Sequence, residues 1–239
     1  MTLTTNFQPL YKQVYDVLVK RLVDGYWKPA ETLPSEFALA KELGVSQGTV
    51  RKALNQMVAE KLLRRRQGKG TYVSEHTQES SLYRFFRYRE PGGEKVIPET
   101  TVISTRRRKA TKPEQLTFNL DSKLQLVEMI RLRTINDLPA IYEIVLQPLA
   151  LFPDIDKERD LPNSLYTLYQ EKYGVSVVEV RDELSAVILT EEVADQLALK
   201  AGSAALKNTR ASISIDGRVI EVSTAYCSSD NFVYSVTIK

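Results

Sequence analysis

Apolar residues recur every three or four positions in three segments near the N-terminus of the chain. The first segment begins at Pro9 and ends before Gly25, the second lies between Ser35 and Gly44, and the third begins at Ser46. This spacing places apolar side chains on one face of a helix, while Ser is a good N-cap and Gly a natural helix end. The pattern predicts three helices, of which the last two form a helix-turn-helix candidate. The apolar positions are Leu10, Val14, Val17, Leu18 and Leu22, then Phe37, Leu39, Ala40 and Leu43, and finally Val50, Ala53, Leu54, Met57 and Val58.

A basic hairpin is predicted directly after the third helix. Within residues 62–73, two short β-prone runs flank Gly68-Lys69-Gly70, and four cations lie in or beside the turn. Glycine lets a backbone approach another surface closely, and cations neutralise phosphates. A helix-turn-helix followed by such a hairpin is a winged-helix arrangement.

The start of the third helix carries residue types that read DNA bases. In a helix-turn-helix, this end of the second helix lies in the major groove. Gln47 can bond an adenine edge through two hydrogen bonds, and Arg51 can contact guanine or phosphate. The alternative is a solvated structural face, although Glu/Lys pairs would be more common there. The candidate residues are Ser46, Gln47, Thr49 and Arg51 on the helix, with Arg64, Arg66, Gly68 and Lys69 on the hairpin.

Composition and charge narrow the function classes. Residues 1–75 hold 12 basic and 7 acidic side chains, a net charge of +5, whereas the remaining residues carry −2. A basic N-terminal third of the chain is typical of a protein that binds a polyanion. The single cysteine, Cys227, and the single histidine, His76, argue against disulfides, zinc sites and histidine-based catalysis. No apolar run approaches the roughly 20 residues of a membrane helix, and no signal peptide opens the chain. We therefore expect a cytoplasmic protein without metal, cofactor or membrane partner.

The rest of the chain alternates between strand and helix patterns and predicts a second domain. A polar stretch without periodicity, residues 76–81, is expected to be a linker in which His76 is solvated. It separates a domain at 8–75 from one at 82–239, and the overall class is α+β. The predicted strands cover 96–108, 126–135, 140–147, 175–189, the two runs around the Asp216-Gly217 turn, and 232–238, while the predicted helices cover 113–120, 165–173 and 190–199.

Two predicted hairpins in this second domain share a loose repeat, although such a pattern also arises by chance. Each carries an Arg before its turn and a Glu after it, namely Arg133, Asp137 and Glu143, and then Arg210, Asp216 and Glu221. Arg131 and Arg133 on one strand face suit a carboxylate or phosphate, and the two glutamates could accept hydrogen bonds from hydroxyls, amines or an amide. The alternative is a structural ion pair between either arginine and Glu143 on the neighbouring strand.

Four motifs in the first 75 residues occur in the order and spacing of a known family. They are Pro9-Leu10-Tyr11, Leu33-Pro34-Ser35-Glu36, Val45-Ser46 with Thr49-Val50-Arg51, and Gly68-Lys69-Gly70-Thr71-Tyr72-Val73. They resemble the winged-helix domain of GntR-type bacterial transcriptional regulators over nearly all of residues 8–74. The resemblance implies that Ser46, Gln47, Thr49 and Arg51 face DNA, as does the wing around Gln67, Gly68 and Lys69, and it adds a contact at Glu36 and Phe37. Many relatives carry Arg where this chain has Gln47, which implies a different operator sequence, and Gly where it has Ala30, which changes a turn.

The second domain carries looser motifs, namely Arg131-Leu-Arg133, Asp137-Leu-Pro139 with Glu143, residues 165–174, and residues 217–223. They resemble the UTRA effector domain of the HutC subfamily, which shares its fold with chorismate lyase and is a mixed α/β domain built on an antiparallel sheet. The resemblance implies that Arg131, Arg133, Glu143 and Glu221 approach the ligand. Tyr226 is added as an aromatic contact, although Cys227 stands at the position of the family's Tyr.

These observations favour a ligand-responsive transcription factor. We expect a repressor that binds a palindromic double-stranded DNA operator as a homodimer and is released or reoriented by a small anionic effector. Two alternatives remain open from the residues alone. The second domain could retain lyase-like enzymatic activity, although no acid/base constellation with His or Cys is evident, or the protein could bind DNA without any ligand.

Overall fold

Three helices form the N-terminal part of the chain in the computed structural model, which describes residues 8–93, 97–119, 125–228 and 230–237. They are α1 (Leu10–Val23), α2 (Glu36–Leu43) and α3 (Gln47–Ala59). Ser35 Oγ accepts a hydrogen bond from Ala38 N, and Ser46 Oγ accepts one from Thr49 N, each at 3.1 Å. Gly44 ends α2 with φ 66°. The predicted caps and the helix-turn-helix are confirmed.

The inner faces of these helices share one apolar core. Val14 and Leu18 of α1 lie buried against Val50 and Leu54 of α3. Burying a side chain of this size stabilises the fold by about 1.5–3 kcal/mol. Leu10, predicted on the same face, is 45% exposed. Because it is the first residue of α1, the buried face of that helix begins one turn later than the apolar pattern predicts.

The predicted basic hairpin is confirmed and is called the wing below. It consists of β1 (Leu63–Arg66) and β2 (Gly70–Val73), paired antiparallel. Gly70 has φ 116°, a conformation that L side chains rarely adopt, and a Cβ there would lie 3.3 Å from Thr32 Cγ2. The backbone N–H of Leu33 donates to the Thr71 carbonyl at 2.8 Å. The segment before α2 therefore anchors the wing.

A six-stranded antiparallel sheet is the frame of the second part. The strands of this part are β3 (Tyr88–Arg89), β4 (Glu99–Lys109), β5 (Gln125–Ile135), β6 (Leu138–Pro148), β7 (Val177–Ile188), β8 (Ala204–Ser214), β9 (Val219–Ser228) and β10 (Val233–Tyr234). The order in the sheet is β4-β5-β6-β9-β8-β7, and a separate two-stranded ladder joins β3 to β10. The hairpins β5–β6 and β8–β9 lie side by side because β6 pairs with β9, which confirms the predicted antiparallel sheet.

Helices cover both faces of this sheet. They are α4 (Gln78–Phe85), α5 (Lys112–Phe118), α6 (Leu165–Tyr173) and α7 (Glu191–Gln196), with a short 3-10 turn at Ile155–Lys157. On one face, Phe85 of α4 and Tyr169 of α6 pack against Val127 and Val145. On the other face, Phe118 of α5 and Ala194 of α7 pack in separate apolar clusters. The face under α4 and α6 is the one that holds the cavity described below.

The segment 76–81 departs from its predicted role as a polar linker, because α4 begins at Gln78. Thr77 caps this helix, and its hydroxyl oxygen accepts the Ser80 N–H at 3.1 Å. Ser81 and Leu82 are buried, whereas Glu79 and Ser80 face solvent. The helix escapes detection in the sequence because its apolar positions fall only in its second half.

His76, expected as a solvated side chain, is instead half-buried. Its backbone N–H donates to Gln170 Oε1 at 2.6 Å, and its ring centroid lies 6.2 Å from that of Phe85. Burial, with the nearby charge of Arg84, lowers the pKa of His76 to about 4. The imidazole is therefore neutral at pH 7.

Several predicted boundaries need adjustment at their ends. The last predicted strand, 232–238, is a strand only at Val233–Tyr234. Residues 96, 120 and 238, at the edges of predicted elements, lie outside the described residues. None of the helices in the described ranges has the length and apolar character needed to cross a membrane.

Candidate DNA-binding surface and effector cavity

Glu36, the first residue of α2, links three elements on the outer side of the N-terminal domain. Its carboxylate accepts hydrogen bonds from Arg51 Nε of α3 at 2.8 Å and from Arg65 Nη2 of the wing at 2.9 Å. Gln47 Nε2 lies 3.5 Å from the same carboxylate. Burial alone would raise the pKa of Glu36, but Arg51 and Arg65 outweigh it and hold that pKa below its ordinary value. Glu36 thus positions Gln47 and Arg51, which were predicted to contact base edges.

Of the residues predicted to contact DNA from the helices, some are exposed and others cap α3. Gln47 and Arg51 are exposed, and Phe37 is 70% exposed at the start of α2. Ser46 and Thr49 instead bond each other, with 2.8 Å between their hydroxyl oxygens. The exposed positions on α2 and α3 therefore offer both hydrogen-bonding and apolar groups to a partner.

Strand alternation separates the cations of the wing. Arg66, Gln67, Gly68 and Lys69 are exposed, and the Arg66 guanidinium lies 5.1 Å from the centre of the Tyr72 ring. Arg64, predicted to contact DNA, pairs with Glu75 at 2.6 Å at the base of the wing. Arg65, one of the four predicted cations of the hairpin, lies on the side of α3 through its bond to Glu36. We call the exposed groups of Gln47, Arg51, Arg65, Arg66 and Lys69 the recognition surface.

The second site is a cavity of about 60 Å³ between the sheet and helices α4 and α6. Its wall includes the predicted residues Arg131, Arg133, Glu143 and Glu221, together with Arg210. We call it the arginine cavity. A space of this size holds a few water molecules.

Arg131 and Glu143 are direct cross-strand partners on β5 and β6. Glu143 Oε2 accepts hydrogen bonds from Arg131 Nη2 at 2.6 Å and from Arg133 Nε at 3.1 Å. Burial alone would raise the pKa of Glu143, but the two guanidinium groups hold it at about 2. Arg131 Nη1 is buried without a hydrogen-bond partner. The ion pair that was the structural alternative is present, and it leaves one donor unused.

Glu221 has its hydrogen bonds satisfied within the protein. Its carboxylate accepts from the Tyr169 hydroxyl of α6 and from the Ser212 hydroxyl, the latter at 3.1 Å. Burial raises the pKa of Glu221. The Ser212 hydroxyl also lies 2.8 Å from the Tyr166 hydroxyl. Glu221 therefore ties the sheet to α6 beneath the cavity.

Arg210 is a site residue that sequence reasoning missed, although the repeat between the hairpins had marked it. Its guanidinium binds Asp182 of β7 through two bonds of 2.7 and 2.8 Å. The pairing of β6 with β9 brings the Arg of each hairpin to the same cavity. The residue pattern within one strand could not predict that Arg133 and Arg210 line the same cavity, because this depends on the order of the strands in the sheet.

Tyr226 requires a correction. Side chains alternate along β9, and Glu221, Ser223 and Ala225 reach the arginine cavity. Tyr226 lies on the opposite face, in the apolar cluster that contains Tyr142, with 6.4 Å between the two ring centroids. Tyr226 is therefore not part of this cavity.

Comparisons with known proteins identify the family of the chain. The family model described as bacterial regulatory proteins, gntR family, matches residues 10–73, and the UTRA domain model matches residues 93–233. The chain belongs to the GntR family. As a GntR-family member with a UTRA domain, it is a DNA-binding transcriptional regulator with an effector domain.

Two relatives of this GntR-family chain align with it over nearly their whole length. The mannosyl-D-glycerate transport/metabolism system repressor MngR of Escherichia coli K12 is 28% identical over 232 residues, which are 96% of this chain and 95% of that protein. The HTH-type transcriptional regulator SmoD of Agrobacterium fabrum is 31% identical over 219 residues, or 90% of each.

Solved structures share the fold. PhnF from Mycobacterium smegmatis has a TM-score of 0.57 at 18% identity, covering 95% of this chain and 99% of its own. A GntR-family regulator from Enterococcus faecalis V583 has a TM-score of 0.54 at 23% identity, covering 59% of this chain and 100% of its own.

Proposed function

We propose that this regulator represses transcription by binding a palindromic operator as a homodimer, and that a small anionic metabolite in the arginine cavity releases it. The observation that carries the proposal is the buried, unpartnered Arg131 Nη1 in a cavity whose wall includes four arginines. An unused charged donor favours an anion, because an arginine nitrogen deprived of water regains its hydrogen bond from a carboxylate or phosphate. Relatives named as repressors, among them MngR and NagR of Bacillus subtilis, support repression.

The recognition surface supplies the DNA contacts in this proposal. Gln47 and Arg51 read base edges, while Arg65, Arg66 and Lys69 neutralise phosphates. Glu36 holds Arg51 and Arg65 until DNA arrives, and the guanidinium groups then exchange its carboxylate for bases or phosphates. A two-fold dimer places the two α3 helices about one turn of DNA apart, or a multiple of it, which a palindrome matches.

Helices α4 and α6 connect the cavity to the wing. Both contribute side chains to the cavity wall, including Leu82 of α4 and Tyr166 of α6. The wing ends at Val73 and α4 begins only five residues later. Across this short connection, Gln170 of α6 accepts a hydrogen bond from His76 N at 2.6 Å and donates to the Ser74 carbonyl at 3.3 Å.

A metabolite larger than the cavity changes this connection. It separates α4 and α6 from the sheet, and the segment that they hold moves with them. Ligand binding then favours a dimer in which the winged helices no longer match both half-sites. Only a ligand that binds the two geometries with different affinities produces this shift.

Operator selection from a random DNA pool with the full chain tests the proposal. We expect an enriched palindrome, bound with strong salt dependence, from which one class of small anions releases the protein. Selection of a non-palindromic sequence would contradict the homodimer, and indifference of the complex to every anion of a broad panel would contradict the effector role.

A further inference from the structure

Asn208 on β8 presents a further unused polar group to the arginine cavity, whose wall also includes the hydroxyls of Ser81 and Tyr88. The side chain is among those that line the cavity and is 3% exposed. Its Nδ2 donates to Asp182 Oδ1 at 3.1 Å, whereas its Oδ1 is buried without a hydrogen-bond partner. A buried acceptor without a partner is costly unless a ligand supplies the missing donor.

The chemistry of Asp182 determines which end of the Asn208 amide faces the cavity. Asp182 accepts hydrogen bonds from Arg210 and, at 2.5 Å, from the Tyr234 hydroxyl. Burial alone would raise the pKa of Asp182, but these donors hold it below its ordinary value. An ionised carboxylate cannot donate a hydrogen bond, so Asn208 must turn its NH₂ toward Asp182. The carbonyl Oδ1 is left as the acceptor on the other side.

The backbone around Asn208 keeps this acceptor in place. Asn208 pairs with Leu184 of β7 on one side and with Ala225 of β9 on the other, within the interior of the sheet. Asp182 is itself fixed by the two bonds from Arg210. A group held this way on rigid strands can discriminate between ligands, because it does not rearrange to hide an unsatisfied atom.

We propose that Asn208 is a specificity-determining residue whose side-chain carbonyl accepts a hydrogen bond from the effector. This inference rests on the proposed effector role of the cavity and adds to it the class of ligand. Arg131 Nη1 requires an acceptor, and Asn208 Oδ1 requires a donor. The effector therefore carries an anionic group and, on the same small molecule, a hydroxyl or ammonium group.

Matched probe sets separate the two requirements. Glycerol 3-phosphate has an anion and hydroxyls, propyl phosphate has the anion and a three-carbon chain without hydroxyls, and glycerol has hydroxyls alone. Gluconate, hexanoate and sorbitol repeat the comparison for a carboxylate. The full chain is melted at a series of concentrations of each probe, and apparent dissociation constants are taken from the rise in melting temperature.

We expect at least one hydroxylated anion to bind the native chain about tenfold more tightly than its partner without hydroxyls. Asn208→Leu, or Asn208→Ala if that variant does not fold, should remove this difference while retaining binding of the anion. Thr209→Val is the matched control, because Thr209 is the next residue of β8 and faces the other side of the sheet. It should retain the difference.

The outcomes distinguish this inference from the proposed function. Equal affinity within both probe pairs, or a difference that persists in both Asn208 variants, overturns the role of Asn208 and leaves the anionic cavity standing. If no probe binds to a chain that still binds DNA, the anionic cavity and the role of Asn208 are both overturned.

Discussion

At the scale of single residues, one carboxylate in each candidate site holds two arginines. Glu36 holds Arg51 and Arg65, and Glu143 holds Arg131 and Arg133. In each site the arginines are positioned before a ligand arrives, which lowers the entropic cost of binding. The residue types were predictable from the sequence, but the carboxylate partners of Arg64, Arg65 and Arg210 were not, because they depend on contacts between distant segments.

Replacing Arg51 tests its role in base reading. We expect Arg51→Ala to weaken binding to the selected operator by about 1–3 kcal/mol, since a base contact is lost. Fluorescence anisotropy with labelled operator measures the change. Arg181→Ala removes an exposed arginine of β7, far along the chain from α3, and should leave affinity unaltered. If both variants bind as the native chain does, Arg51 has no part in recognition.

The cations of the wing should differ in their effect on salt dependence. A lost phosphate contact lowers the slope of log affinity against log salt by about 1. We expect this decrease for Arg66→Gln, because Arg66 is exposed, and a smaller one for Arg64→Gln, because Arg64 is paired with Glu75. Titrations at four salt concentrations provide both slopes. Equal decreases in slope would show that Arg64 breaks its ion pair with Glu75 and contacts a DNA phosphate.

At the scale of elements, local sequence patterns predicted where the helices and hairpins lie. Which of their side chains reach a site depends on how the strands pair across the sheet. The helices α1, α2, α3 and α6 follow their apolar spacing, and the hairpins follow their turn residues. Helix α4 was not predicted because its first half is exposed and polar. The apolar positions of its second half alone are too few to show helical spacing in the sequence. Tyr226 was assigned to the cavity because sequence alignment with a motif does not reveal which face of β9 a position occupies.

The wing offers a prediction at this scale. Gly70 adopts φ 116° beside Thr32, so Gly70→Ala should lower the free energy of unfolding by about 1–3 kcal/mol. Gly48 lies in α3 with an ordinary backbone, and a Cβ there is 3.8 Å from its nearest neighbour, Ser46 Oγ. Gly48→Ala should therefore not destabilise the protein. Urea denaturation compares them, and equal stability of the two variants would contradict the strained turn.

At the scale of the whole molecule, the connection between the domains contributes a pH dependence. The pKa of His76 is about 4 in the folded protein, against 6.5 in the unfolded chain. Between these values the unfolded state binds more protons, so stability falls as the pH falls. We expect a loss of about 2 kcal/mol between pH 7 and pH 5 from this group.

Denaturation of the full chain at pH 7, 6 and 5 measures this effect, and His76→Gln should flatten the profile over that range. Glu143 acts in a lower window, because its stabilising contribution is lost only as the pH falls from about its unfolded value of 4.5 toward 2. A variant profile that matches the native one from pH 7 to pH 5 would show that His76 is solvated in the folded protein.

The central claim is that occupation of the arginine cavity changes the affinity for DNA. The most direct measurement is operator affinity with and without a saturating amount of the anion that most raises the melting temperature of the full chain. Coupling between two such sites is typically 1–3 kcal/mol, so we expect affinity to fall about 5- to 150-fold. An anion that stabilises the protein and leaves operator affinity unchanged would contradict the account.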